Sequence, residues 1–455
     1  MYRESAYQKH SKLMKTTFTR CAFTTLAIFS IATGACLAQI TWDGGSGTDL
    51  NWSTDANWNP DGLPPAGSSL VFSATLANRN TTNDLVADTS FDSVTISANA
   101  YVLYGNSISV TGNVTNNTAN PGTINMSIGM QHDTVFAVNS GRLDVNSNIF
   151  GNFGIIKEGA TALRIVGVAK TYTGSTIINA GTLDLVAGGL PTTTDVSIAS
   201  GATLLLNNFS QTIDGLSGLG LVNKTGSNTR TLTVGNNNQA TATFGGSITM
   251  VGGSSGVTKV GNGTQILSGS GTFSWPGATL VSAGTLQLNN AAISGAGAMT
   301  AAASGKLSGN GGVNGATTIN GEISPGSSIG TLTFSNSLVL AGLTTLELDR
   351  DSTQNADLIN VVGALTRGGT LTIVNAGNDL QDGDTFNLLD WGSLNPGTFT
   401  ATNLPSLTGI LTWDLSQFDS AGIITVTTVP EPAAMTLLGV GMMLAVRQIR
   451  RRKVG

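Results

Sequence analysis

Two stretches about 102 residues apart repeat the same pattern. Gly154-Ile-Ile-Lys157-Glu-Gly159 returns as Gly256-Val-Thr-Lys259-Val-Gly261, and Asn179-Ala-Gly-Thr-Leu-Asp-Leu185 returns as Ser282-Ala-Gly-Thr-Leu-Gln-Leu288. A degenerate copy lies between them, from Gly220-Leu-Val-Asn-Lys224-Thr-Gly226 through Thr231-Leu-Thr-Val234. The shorter Gly-Thr-Leu element recurs at Gly330 to Phe334 and Gly369 to Ile373, and loosely at Gly201 to Leu206. Repetition on this scale requires modules that stack on their neighbours, because one unit is too small to bury a core by itself.

Within each unit Leu183 and Leu185, or Leu286 and Leu288, alternate with Thr, Asp or Gln. Alternation with a period of two sends every second side chain to one face of a strand. The strands are about four or five residues long, and Gly or Asn bounds them at corners where a positive φ is tolerated. Stacked coil upon coil, with about 20 residues per coil, such strands build one continuous apolar seam and satisfy each amide from the layers above and below. A pair of antiparallel sandwiches gives the same alternation and stays as the alternative. Of the 455 residues 59 are Gly, and only 10% are charged and 6% aromatic. That composition excludes a coiled coil, a charge-driven disordered chain and a basic nucleic-acid binder.

The two ends differ from the body. Met14-Lys15, Arg20, an apolar run from Cys21 to Thr33 and the small-residue end Gly34-Ala35-Cys36-Leu37-Ala38 have the order of a secretory signal peptide, residues 1–38, cut after Ala38. A start at Met1 and a start at Met14 both suit this reading. Cys21 and Cys36 both lie inside it, which leaves the mature chain without disulfide, thiolate or cysteine chemistry. Residues 39–429 carry 11 basic and 24 acidic side chains, a net charge of −13, so an acidic exterior is expected.

At the other end Val429-Pro430-Glu431-Pro432 precedes a short apolar stretch, Ala433 to Val446, and a basic cluster that includes Arg450, Arg451 and Arg452. Fourteen residues of helix reach roughly 21 Å, less than the ~30 Å of membrane hydrocarbon, so a transmembrane helix here is a weak or temporary anchor. The arginines mark its cytoplasmic side. This ending resembles the PEP-CTERM sorting signal of Gram-negative bacteria. The resemblance implies export, with Pro430, Glu431 and Pro432 recognised by a membrane transpeptidase called exosortase, which removes the helix.

The repeats in turn resemble the autotransporter-associated β-strand repeat, which has a Gly-x-x-Lys-x-Gly start, a Tyr-x-Gly-x-Thr middle and a Gly-Thr-Leu end. Tyr172-Thr-Gly174-Ser-Thr176 fits the middle, and Ser274-Trp275-Pro276-Gly277 departs from it. The resemblance implies an all-β protein, a right-handed parallel β-helix or β-solenoid with capping segments. The expected organisation is a signal peptide at 1–38, an N-terminal cap and first strands at 39–99, solenoid repeats at 100–345, a C-terminal β region and cap at 346–428, and the sorting segment at 429–455.

Three tryptophans crowd the start of the body, Trp42, Trp52 and Trp58. They suit a sugar-stacking platform or a plug over the open end of a solenoid, and the plug is the expected role. Trp391 and Trp413 are expected inside the C-terminal cap. No catalytic residue stands out. His132 is the one histidine after the signal, without a nucleophile motif beside it. Asp379, Asp382 and Asp384 are weak calcium candidates, since no bidentate Glu follows them, and Asp349, Asp351 and Asp357 are expected in a solvated loop.

Neither a cofactor nor an enzymatic activity is expected. The leading expectation is an exported surface or matrix protein for adhesion or extracellular polymer assembly. Its partners would be exosortase, the export machinery, the membrane through a transient C-terminal helix, and extracellular polysaccharide, with no nucleic acid. The alternative is a carbohydrate-binding protein or a polysaccharide lyase built on a β-helix.

Overall fold

The structure, a computed structural model, describes residues 38–98, 100–207 and 209–429. The expected signal peptide up to Leu37 and the sorting segment from Pro430 onward lie outside the described residues.

The described chain winds as a parallel β-solenoid with three faces. On the first, Gln39–Trp42 pairs with Ser69–Phe72, that strand with Ser93–Ile96, and the ladder continues rung by rung to Ala401–Asn403. The second begins with Asn80–Asn83 on Val102–Gly105 and ends where Leu358–Thr366 meets Leu389–Leu394. The third stacks Thr89–Phe91, Ile108–Val110, Ile128–Met130 and Ile149–Phe150, and resumes at Gln211–Thr212 on Thr231–Val234. Two long strands, Thr279–Asn289 and Met299–Gly309, round a corner and serve the third face and then the first. Among the described residues every strand-to-strand pairing of the stacked layers is parallel, with one isolated antiparallel bridge at Gly309 and Gly326, which decides against hairpin-built sandwiches. Parallel crossovers wind right-handed in nearly all proteins, the hand expected here.

The alternation seen in the sequence sets the register. Leu143, Leu163, Leu183, Leu204 and Val222 are successive rungs of the second face, and all are fully buried. Outward neighbours in the same strands stack as Asp144, Arg164 and Asp184, with Arg164 3.4 Å from each carboxylate. A slip of one residue would bury this charged row and expose the leucines, so the register is strongly specified. One turn takes 21 residues at Ile155↔Thr176, 16 at Lys306↔Glu322 and 31 at Thr370↔Ala401.

Where a rung is missing, a buried glutamine takes its place. The third face has no regular strand at Leu190, and there Gln211 accepts from the Leu190 N–H at 2.9 Å and donates to its carbonyl at 3.1 Å. Gln265 does the same for Leu216, at 3.1 and 2.9 Å, reaching across the layer between them. A side-chain amide offers the donor and acceptor of a peptide group, so the N–H and the carbonyl of both Leu190 and Leu216 are satisfied.

Both ends are closed by non-repetitive chain. At the start, Trp58–Asn59 pairs antiparallel with the first strand, residues 50 to 52 bond to Thr82, and Gly67 and Ser68 bond to the first strand of the third face and its neighbour Asp92. At the end, Ile423–Thr428 forms an antiparallel sheet with Thr385–Asn387 and Leu411–Asp414, burying Phe386, Ile424 and Val426. The parallel pairing thus spans Gln39 to Asn403, and the repeat region of residues 100–345 lies inside that span.

Candidate functional site

The lysine of the repeat is a buried corner post. Lys157 is fully buried, and its ammonium donates to the carbonyls of Glu158, Gly159 and Ala180 at 2.6, 2.8 and 3.0 Å. Lys259 does the same with Val260, Gly261 and Ala283, and Lys224 of the degenerate copy with Gly226, Val251 and Gly252. Lys157 and Lys259 each take two acceptors from their own corner and one from the neighbouring layer, whereas Lys224 takes one from its own corner and two from the neighbouring layer, so every one of these ammonium groups ties two layers together. Lys170 fills the gap in the third face, with Ser147 O at 2.6 Å and Val168 O at 3.1 Å among its acceptors. Burial holds Lys157, Lys170 and Lys259 down to about 8, which keeps them protonated at neutral pH, and it lowers Lys224 as well.

These three corners do not lie on one face. Lys157 ends a strand of the first face, Lys224 one of the second and Lys259 one of the third. The sequence period is therefore not a whole number of turns, and each copy is rotated by one face from the last. Pairing inside a copy is nevertheless retained. In the first, Ile155–Glu158 pairs with Thr176–Ile178 and Ala162–Ile165 with Thr182–Leu185. In the second, Gly256–Lys259 and Thr264–Ser268 pair with the two halves of Thr279–Asn289.

The departure at Trp275 is conservative in three dimensions. Tyr172 donates or accepts with Thr176 at 2.5 Å, and Trp275 Nε1 donates to Thr279 at 2.9 Å. In both copies a buried aromatic bonds to the threonine four residues on. An interior void of about 10 Å³ beside Leu232, Val257, Leu267 and Trp275 has room for a single water.

Trp42, Trp52 and Trp58 are fully buried around Phe72, with Trp42 and Trp58 edge to face at 5.0 Å and 88°. Trp52 donates to Thr81 at 3.0 Å and Trp58 to the Trp52 carbonyl at 2.8 Å. No ring presents a face to a sugar, and the plug describes them. Trp391 and Trp413 were expected inside the C-terminal cap, but both are only partly buried. The Arg367 guanidinium covers Trp391 at 5.9 Å and pairs with Asp419 at 2.9 Å, and Trp413 donates to Pro405 O.

The ring nitrogens of His132 meet the backbone carbonyls of Asp133 and Thr111. Among the described residues no three His, Cys, Asp or Glu side chains gather to hold a metal. Asp379 and Asp382 point to solvent in a turn, whereas Asp384 is held by Arg350 at 3.0 Å and by the Gln381 N–H at 2.7 Å. Ala38, the expected cleavage point, is exposed, and its carbonyl accepts from Ser69. Pro430, Glu431, Pro432, Arg450, Arg451 and Arg452 lie outside the described residues. Among the described residues no helix is long and apolar enough to cross a membrane.

Asp357 corrects the expectation of a solvated loop. It is fully buried and accepts from Gly330 N–H and Glu347 N–H, both at 2.8 Å, clamping the base of the hairpin at 349–356. Burial pushes its carboxyl up to about 7; the two N–H donors oppose this and the Glu347 charge adds to it. The folded state therefore holds this proton where the unfolded chain has lost it, so the stability it contributes is full below about pH 4 and is lost as pH rises through about 7. Urea midpoints between pH 4.5 and 7.5 should fall more steeply for the natural protein than for Asp357→Asn; parallel curves would show that Asp357 does not titrate in this range.

Two family models match the chain. The passenger-associated-transport-repeat matches residues 155–185 and 257–288, the copies that hold the Lys157 and Lys259 corners. The PEP-CTERM protein-sorting motif matches residues 428–452. No curated protein and no solved structure matches. The chain is a β-solenoid protein that carries two passenger-associated-transport repeats and a C-terminal PEP-CTERM sorting motif.

Proposed function

We propose that this chain is a non-enzymatic scaffold of the bacterial surface or extracellular matrix, a rigid spacer for adhesion or for assembly of extracellular polymer. The observation that carries the reading is the joining of an export-sorting motif to a stack whose interior is filled by its own side chains. A solenoid held by corner posts and closed at both ends resists bending and proteolysis, which is what a spacer outside the cell requires. Exosortase takes the chain at Pro430, Glu431 and Pro432, after transient anchoring by the short helix, and the basic cluster holds that helix at the cytoplasmic side.

Glu431→Ala should leave full-length protein in the membrane fraction where the natural chain is shortened and released. Normal maturation of that variant would remove exosortase from the account. Turnover of any member of a polysaccharide panel by the purified protein would overturn the non-enzymatic reading.

A further inference from the structure

The two ends of the stack are finished differently. At the start the three tryptophans are fully buried, and the exposed neighbours are acids, among them Asp49, Asp55, Asp61 and Asp84. At the other end no residue from Asp390 to Ala421 is buried, and the run from Gly392 to Trp413 contains no charged side chain. The last rung, Ala401–Asn403, has a strand partner on one side only. Leu404, Leu407, Leu411 and Trp413 are half-buried over this end, and the bond from Trp413 to Pro405 O ties the covering segment to the closing hairpin.

The most exposed apolar side chains of that hairpin lie where the sorting segment begins. Leu411 pairs with Thr428, and the Val429 N–H donates to Ile410 O at 2.9 Å, so Ile410 and Val429 stand opposite each other at the end of the ladder. They are 61% and 50% exposed, and Leu415 is 40% exposed. An uncharged end with apolar side chains left in water is what a docking surface requires. Chain length says what it docks on. Only Pro430, Glu431 and Pro432 separate Val429 from Ala433, the first residue of the apolar stretch, and four residue steps span at most roughly 14 Å. Once that stretch is anchored, the Ile410 and Val429 pair is held at the lipid surface on the exported side.

We propose that this end of the solenoid is a footing that rests on the lipid headgroup layer while the sorting segment is anchored; the inference rests on the transient anchoring proposed above. Ile410, Leu415 and Val429 enter the interface, and Trp413 lies beside them at the level where amphipathic rings settle. The seat is shallow for two reasons. Hydrocarbon cannot satisfy the main-chain groups on the open edge of Ala401–Asn403, and the exposed carboxylate of Asp414, which accepts from the Ser416 N–H at 2.9 Å, stays in water. Three side chains are far less than an interfacial helix buries, so the footing orients the anchored chain and does not hold it once the tail is cut.

The test is lipid quenching in the full-length chain, purified in detergent and reconstituted into vesicles of phosphatidylethanolamine and phosphatidylglycerol. An environment-sensitive fluorophore is placed at Ile410→Cys or, as the distant control, at Val86→Cys, a site 82% exposed near the start. The unsubstituted chain, treated identically, records any label taken up by Cys21 or Cys36. Headgroup nitroxide lipids should quench the label at 410 about threefold more than the label at 86, with a blue shift at 410 alone. Far-UV circular dichroism establishes that both variants fold. Vesicles that float without the protein overturn the anchoring and the footing with it. Protein that floats with equal quenching at both sites overturns the footing and leaves the anchoring standing. A blue-shifted label at 410 that the lipid quencher does not reach places a second copy of the chain there, and overturns the footing as well.

Discussion

Lys157→Met will lower the unfolding free energy by roughly 3 to 5 kcal/mol, a large share of the stability of an ordinary domain. Methionine fills the same channel and is easier to bury, so packing alone predicts a gain. The loss comes from the acceptors. The carbonyls of Glu158, Gly159 and Ala180 would lose their charged donor in a place that water does not reach. Replacing a buried ion pair with hydrophobic residues is often harmless because both partners are removed, but main-chain carbonyls cannot be removed. Lys224→Met and Lys259→Met should cost similar amounts, and a pair of such changes in separate layers should add. Chemical denaturation checks this directly; a Lys157→Met protein as stable as the natural one would mean that the corners are held by something else.

Trp52→Ala should cost about 3 to 5 kcal/mol in the terminal layers. The side chain has no exposed surface, packs at 5.5 Å on Phe72 and 5.8 Å on Trp58, and is bonded to Thr81. Removing it opens a cavity under the segment that closes the first rung of the second face. Amide exchange should therefore accelerate over residues 39 to 96 and remain unchanged beyond the repeats, since solenoid layers communicate mainly with their neighbours. Uniform acceleration along the chain would contradict that picture, and unchanged exchange at the start would show that the tryptophans are not the plug.

Much of this architecture is legible in the sequence because its physics is local. Leu183 and Leu185 alternate with polar neighbours, glycines such as Gly159 and Gly181 mark corners, and both of these adopt positive φ, +79° and +66°. At Gly181 a Cβ would also stand 2.5 Å from the Gly159 carbonyl, so both backbone shape and close stacking require glycine there. The fate of the repeat lysine is not legible, because lysine is ordinarily a surface residue and its acceptors come partly from a layer more than twenty residues away. Asp357 is hidden for the same reason: its two donors belong to Gly330 and Glu347, brought together by the winding. Nor does the 102-residue spacing reveal that successive copies sit on different faces. The three faces accept the same strand pattern, so a rotated copy keeps its internal pairing without any mark in the sequence. Trp275 looks like a departure only because a sequence pattern compares letters, whereas the corner needs a buried aromatic with a donor.

Parallel winding itself is tested most directly by distances along one outward row. Ser197, Ser217, Thr243, Ile266 and Gln287 occupy successive rungs of the first face, and the row continues to Ser308 and Ser324. The residues after the signal region include no cysteine, so spin-label pairs can be introduced cleanly. Labels at positions 197 and 287 should lie about 19 Å apart, and labels at 197 and 324 about 29 Å, growing by ~4.8 Å for each rung crossed. Distances that fail to increase with rung number, as hairpin-paired sheets would give, would contradict the solenoid.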